Sequence, residues 1–177
     1  MTKTIALVGR TNVGKSSIFN KLVKAKSSIV SSEEGLTRDM KTAELKSEDK
    51  TIQLIVTGGF YTSKDDDLED LILIKAHEAI AIADLILLIV DNKFGLSPFD
   101  KQLANILRKS GKEVVLVVNK IDVKTDEGTQ IFHELGFKTK IEISAEHNLN
   151  IDDLKELIFK NAPKNEDPPQ NVIPKIS

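Results

Sequence analysis

The sequence predicts an α/β fold: a three-layer α/β/α sandwich on a mostly parallel six-stranded sheet, with one antiparallel edge-side strand. Three observations carry that prediction. Two apolar runs without alternation, Leu85 to Val90 and Val114 to Val118, suit strands buried on both faces of a parallel sheet. Segments with helical spacing fall between the apolar runs, as crossover connections require. A glycine-containing turn, Gly9-Arg10-Thr11-Asn12-Val13-Gly14-Lys15-Ser16, sits directly between a strand and a helix.

Taken in order, residues 3–8 form the first strand, and Ile18, Phe19, Leu22 and Val23 give a helix over 15–25 its apolar face. Lys26 to Asp39 is Ser-rich, carries Gly35 and shows no period, so it reads as a mobile loop. Residues 41–47 and 51–56 are two strands joined by the polar turn Ser47 to Lys50. An irregular stretch with Gly58-Gly59 follows, then a helix over 65–83 with Asp residues at its positive end. The strand 85–90 leads to Ser97-Pro98, which opens a helix running to Ser110 and stopped by Gly111. After the strand 114–118 come a short helix over 126–135, a strand over 138–143 and a last helix over 151–161. From Pro163 to Gln170 proline and polar residues replace any period. The expected organisation is one domain over 1–161 and a linker over 162–177.

Composition narrows the function. With 25 basic and 27 acidic residues the net charge is −2, which argues against a nucleic-acid tether built on bulk charge. There is no cysteine, so disulfides, thiolate chemistry and cysteine-based zinc sites are excluded. No signal peptide precedes the first strand and no apolar run approaches membrane-spanning length, so the expectation is a cytoplasmic monomer that binds no membrane.

The turn after the first strand has the residues of a P-loop. Gly9 and Gly14 let the backbone wrap an anion with its N–H groups inward, and the next helix adds the positive end of its dipole. Lys15 supplies a point charge for β- and γ-phosphates, and the Ser16 hydroxyl, followed by Ser17, suits Mg²⁺. After the strand ending at Val118 comes Asn119-Lys120-Ile121-Asp122. A carboxylate at Asp122 accepts two parallel hydrogen bonds, matching N1–H and the exocyclic amine of guanine, and adenine lacks that donor pair. The Lys120 stem covers a base face and Asn119 ties its loop to the P-loop. After the next strand, Ser144-Ala145-Glu146 places a small residue where a backbone N–H reaches guanine O6. Thr37, the one threonine of the Ser-rich loop, is the candidate to complete the Mg²⁺ shell. Gly59, in the Val56-Thr57-Gly58-Gly59 segment, is the candidate γ-phosphate contact. His77, His133 and His147 show no ligand spacing and read as surface or structural residues, and Asp65-Asp66-Asp67 as a solvated helix start.

Over residues 3–161 these motifs resemble the TRAFAC-class GTPases, and most closely the first G domain of the EngA/Der family of tandem-domain ribosome-assembly GTPases. Gly35-Leu36-Thr37-Arg38-Asp39, Thr57-Gly58-Gly59, Ser144-Ala145-Glu146-His147 and Gly95-Leu96-Ser97-Pro98-Phe99-Asp100 share in the likeness. The resemblance implies binding of GTP and GDP, Mg²⁺ at Ser16 and Thr37, hydrolysis through Lys15, Thr37 and Gly59, and association with the large ribosomal subunit or its rRNA. It also implies K⁺ held by Asn12, in the place of an arginine finger. Phe60, where many GTPases have a water-orienting glutamine, receives no proton-transfer role. Two departures stand out. Val56 occupies the position of the family's Mg²⁺-orienting aspartate, and the second G domain and KH-like domain are absent, so 162–177 reads as a linker leading toward a missing second G domain. The leading expectation is a GTP-hydrolysing switch. The alternative is a nucleotide-binding interaction module with little or no hydrolysis, favoured by Val56. An ATP-using kinase is disfavoured by Asp122.

Overall fold

A computed structural model describes residues 2–24, 28–32, 40–57, 65–160 and 162–164. The elements run β1 (Lys3–Val8), α1 (Lys15–Lys24), β2 (Ser28–Ser32), β3 (Met40–Ser47), β4 (Lys50–Thr57), α2 (Asp65–Ile82) and β5 (Leu85–Asp91). They continue with α3 (Pro98–Lys109), β6 (Glu113–Asn119), a 3-10 helix (Thr129–Leu135), β7 (Lys140–Glu142) and α4 (Ile151–Lys160). One sheet takes the strands in the order β2-β3-β4-β1-β5-β6-β7. All six expected strands are present, and of these only β3 runs antiparallel to its neighbours.

A seventh strand corrects the reading of 26–39 as a loop. β2 pairs antiparallel with β3, from Ser28 opposite Leu45 to Ser32 opposite Lys41. Backbone groups offered by the neighbouring strand make this pairing, and it needs no apolar period in the segment itself. The short helix expected over 126–135 is also corrected: it begins at Thr129 and is of the 3-10 type. A turn claims the residues before it, with the Gly128 N–H donating to the Thr125 carbonyl and hydroxyl oxygens.

Apolar strands without alternation fold this way because both sheet faces are covered. Ile5, Leu7, Leu85, Leu87, Val115 and Val117 pack with Ile18, Phe19, Leu22, Leu154 and Ile158 on the α1 and α4 side. Their neighbours Ala6, Val8, Ile86, Leu88, Leu116 and Val118 pack with Ala76, Ala79, Leu103 and Phe132 on the other side. Packing continues past α4: Ala162 is buried, Lys164 bridges Lys50, and Lys50 Nζ donates to the Phe159 and Lys160 carbonyls. β1 lies centrally, with β4 on one side and β5 on the other. The chain therefore switches direction across β1, and the loop leaving its carboxyl end opens where such sheets bind ligands.

Candidate functional site

The loop between β1 and α1 is shaped by close backbone approach. At Gly9 a Cβ atom would lie 2.6 Å from the Ile89 carbonyl oxygen, so the loop can leave β1 flush against β5 only as glycine. Asn12 (φ 66°) and Gly14 (φ 104°) then turn the chain into α1, where the Ile18 N–H donates to the Gly14 carbonyl at 3.0 Å. Lys15 is buried, and its Nζ donates to the Gly9 and Arg10 carbonyls, each at 2.7 Å. Burial, and then the nearby Arg10 charge, push its pKa down to about 8.

Asn119, at the end of β6, joins three loops. Its Nδ2 donates to the Val13 carbonyl at 2.9 Å, and its Oδ1 accepts the Ala145 N–H at 3.0 Å. Lys120 reinforces the join, with Nζ donating to the Asn12 carbonyl at 2.9 Å and to Asp91 Oδ2 at 2.8 Å. At the outer end Ser144 Oγ donates to Asp122 Oδ1 at 2.7 Å, and His147 Nε2 stands 3.4 Å from Oδ2. The Ser144 hydrogen bond is the main reason the Asp122 carboxyl is held below its ordinary range, and it stays ionised at neutral pH. Between these loops lies a cleft of about 190 Å³, lined by Gly14, Ser17, Lys93, Asn119, Lys120, Asp122, Val123, Ala145 and Glu146. One end of the site is thus a backbone cradle at a helix N-terminus with a lysine in it, suited to phosphate. The other end presents a carboxylate fixed for a pair of N–H donors. A larger cleft of about 610 Å³, between the β3–β4 turn and α4, is lined by mixed charges including Glu48, Asp152, Lys155 and Glu156.

The expected residues divide three ways. Gly9, Val13, Gly14, Lys15, Asn119, Lys120, Asp122, Ser144 and Ala145 come together as described, with Ser16 and Ser17 exposed in the first turn of α1 and Asn12 exposed beside them. Arg10 turns away, its Nε donating to Asp100 Oδ1 at 2.9 Å. Val56 is 2% exposed within the apolar cluster that also holds Val13 and Ile18, and Thr57, its neighbour, is buried. Ile121 packs on the opposite core, Thr11 is partly buried, and Glu146 is exposed at the cleft. Thr37, Gly58, Gly59 and Phe60 lie outside the described residues. Asp91, Lys93, Asp100 and His147 received no site role from the sequence. Of these only His147 adjoins a site motif; Asp91 meets Lys120 29 positions on, Asp100 meets Arg10 90 positions back, and Lys93 reaches the cleft from a different loop, links that a linear reading does not make. Among the described residues no helix is long and apolar enough to cross a membrane, and no group of His, Asp and Glu has metal-site geometry.

The profile of the family described as 50S ribosome-binding GTPase matches residues 4–120. Among curated proteins, GTPase Der of Halothermothrix orenii is 41% identical over 162 residues, 90% of this chain and 37% of that protein. GTPase Der of Herminiimonas arsenicoxydans is 38% identical over 176 residues, 97% of this chain and 39% of that protein. The chain thus spans under two-fifths of the length of these curated relatives. Among solved structures, a probable GTP-binding protein engB is 26% identical with a TM-score of 0.64, covering 89% of this chain and 97% of that one. The cytosolic domain of the T. maritima FeoB iron transporter in a GDP form is 27% identical with a TM-score of 0.67, covering 93% and 65%.

Proposed function

The chain belongs to the 50S ribosome-binding GTPase family, and on that premise we propose that it binds GTP and GDP in this site and hydrolyses GTP to GDP and phosphate. The observation that carries the proposal is Asn119, which holds the Val13 carbonyl and the Ala145 N–H at once. It locks the guanine-reading loops to the phosphate cradle at a fixed distance. In the proposed complex the loop N–H groups and the α1 N-terminus surround the phosphates. Lys15 leaves the Gly9 and Arg10 carbonyls to place its charge where negative charge develops during phosphoryl transfer. Asp122 accepts from guanine N1–H and the exocyclic amine, the Ala145 N–H faces O6, and the Lys120 stem covers the ring.

Ser16, an exposed hydroxyl in the first turn of α1, suits a hard cation, and Thr37 is the second proposed ligand. Asn12, exposed and held in the left-handed region, fits K⁺. When bound, such ions neutralise charge on the phosphate oxygens. In its longer relatives' context the same domain would dock on the large ribosomal subunit or its rRNA, most simply as a monomer in the cytoplasm.

Asp122→Asn tests the base assignment. An asparagine offers one acceptor and one donor, which suits N1–H and C2=O of xanthine and mismatches guanine. We expect GDP affinity to fall by about 100-fold or more and XDP affinity to rise, since unpaired polar groups discriminate at that level. Equal loss of both nucleotides would remove Asp122 from the base-reading role.

One observation favours a second reading, a nucleotide-binding module with weak hydrolysis. Val56 is buried among apolar side chains, so β4 offers no carboxylate there to orient the metal through a water. Loss of such an outer partner costs about 10–100-fold in metal affinity or activity. Val56→Asp is then expected to raise Mg²⁺-dependent single-turnover hydrolysis by about tenfold or more. Unchanged turnover in a folded variant would clear Val56.

A further inference from the structure

We propose that Asp100 is a positioning residue for the phosphate-binding loop, acting through Arg10 from outside that loop. Asp100 lies in the first turn of α3 and is wholly buried. Its Oδ2 accepts the Ser97 N–H at 3.0 Å, completing a capping box with the Ser97 hydroxyl, which accepts from the Phe99 N–H. Its Oδ1 accepts from Arg10 Nε at 2.9 Å. A helix cap uses one carboxylate oxygen and works at the surface. A carboxylate with no solvent contact is costly unless a partner neutralises it. Capping alone therefore does not account for this aspartate; Arg10 does.

Arg10 is held on a second side. Its guanidinium lies 4.4 Å above the Phe94 ring. Phe94 is placed in turn by Asp91, whose Oδ1 accepts the Lys93 and Phe94 N–H groups at 2.8 and 3.0 Å. Arg10 Nη2 is buried with no partner. An arginine free to move would bring that group to water; the ion pair and the ring fix it instead. Arg10 belongs to the loop backbone that leads from Gly9 to Lys15, and its carbonyl is one of the two that receive Lys15 Nζ, so pinning Arg10 pins the path of the loop itself. The end of β5 and the first turn of α3 thus bracket the loop, with Asp91 reaching Asn12 through Lys120 and Asp100 reaching Arg10 directly.

The nucleotide part of this inference rests on the guanine-nucleotide reading above, so the test carries one readout that needs no nucleotide. GDP affinity, thermal unfolding, and amide exchange over residues 9–16 in nucleotide-free protein are measured for wild type, Asp100→Asn, Arg10→Gln, the double variant and Ser97→Ala. Asp100→Asn keeps an oxygen for the Ser97 N–H and sets an amide against Arg10. It is expected to weaken GDP binding about tenfold or more and to speed exchange in the loop, with Arg10→Gln adding nothing in that background. Ser97→Ala is expected to lower the melting temperature while leaving affinity and loop exchange unchanged. Asp100→Asn behaving like Ser97→Ala would overturn the proposal, as would fully additive losses in the double variant. If wild type binds no GDP, the nucleotide reading fails and loop exchange alone decides the bracket. If Arg10→Gln does not fold, the contrast between Asp100→Asn and Ser97→Ala decides it.

Discussion

Lys15 shows how one residue links burial to function. Its ordinary pKa of 10.5 falls to about 8, because burial disfavours the ammonium and the Arg10 charge adds to that. The native state therefore binds fewer protons than the unfolded chain between those values. In nucleotide-free protein this group's contribution to stability rises with pH across that window. Bound phosphates favour the charged form and restore the proton. GDP binding at pH 8 should take up about half a proton, measured by calorimetry in buffers of different ionisation enthalpy, and affinity should fall as pH rises further. Binding without proton uptake would mean that Lys15 does not change its protonation on binding, against this linkage. At this scale the sequence was informative about residue types. Gly9, Gly14, Lys15, Asn119 and Asp122 could each be assigned a role from chemistry and order alone. The Arg10–Asp100 and Lys120–Asp91 pairs could not, because their members stand 90 and 29 positions apart.

Among elements, the β1–α1 connection tolerates little change. At Gly14 a side chain would meet Asn119 Nδ2 at 2.2 Å, and the backbone sits at φ 104°, where residues with a Cβ are strained. Asn119 cannot step aside without losing both the Val13 carbonyl and the Ala145 N–H. Gly14→Ala is therefore expected to cost about 1–3 kcal/mol of stability in denaturant titrations and to weaken nucleotide binding. Wild-type stability in that variant would mean the loop adopts another path. The long elements were legible because their apolar residues carry a period or an unbroken run. β2 was not: in Ser28–Ser32 the pairing comes from β3, and no local signal distinguishes such an edge strand from a loop. The 3-10 helix began late for a related reason, since Gly128 and Thr125 close a turn where helical spacing alone would continue.

Across the whole molecule two apolar layers hold one sheet, and the site collects on the carboxyl ends of β1, β5, β6 and β7. The order of strand and loop makes much of this legible in the sequence: the apolar strands ending at Val8, Val118 and Ile143 are each followed by residue types suited to part of a guanine nucleotide. Docking of α4 by Lys50 joins residues more than a hundred positions apart, and no pattern in the sequence announces it. This assembly is proposed to work as a GTPase domain. Its most direct test is a single turnover: protein loaded with GTP and Mg²⁺ is held in KCl or NaCl, and the bound nucleotide is identified by chromatography. The expected result is conversion of GTP to GDP, faster in KCl. GTP retained unchanged in both salts would contradict it.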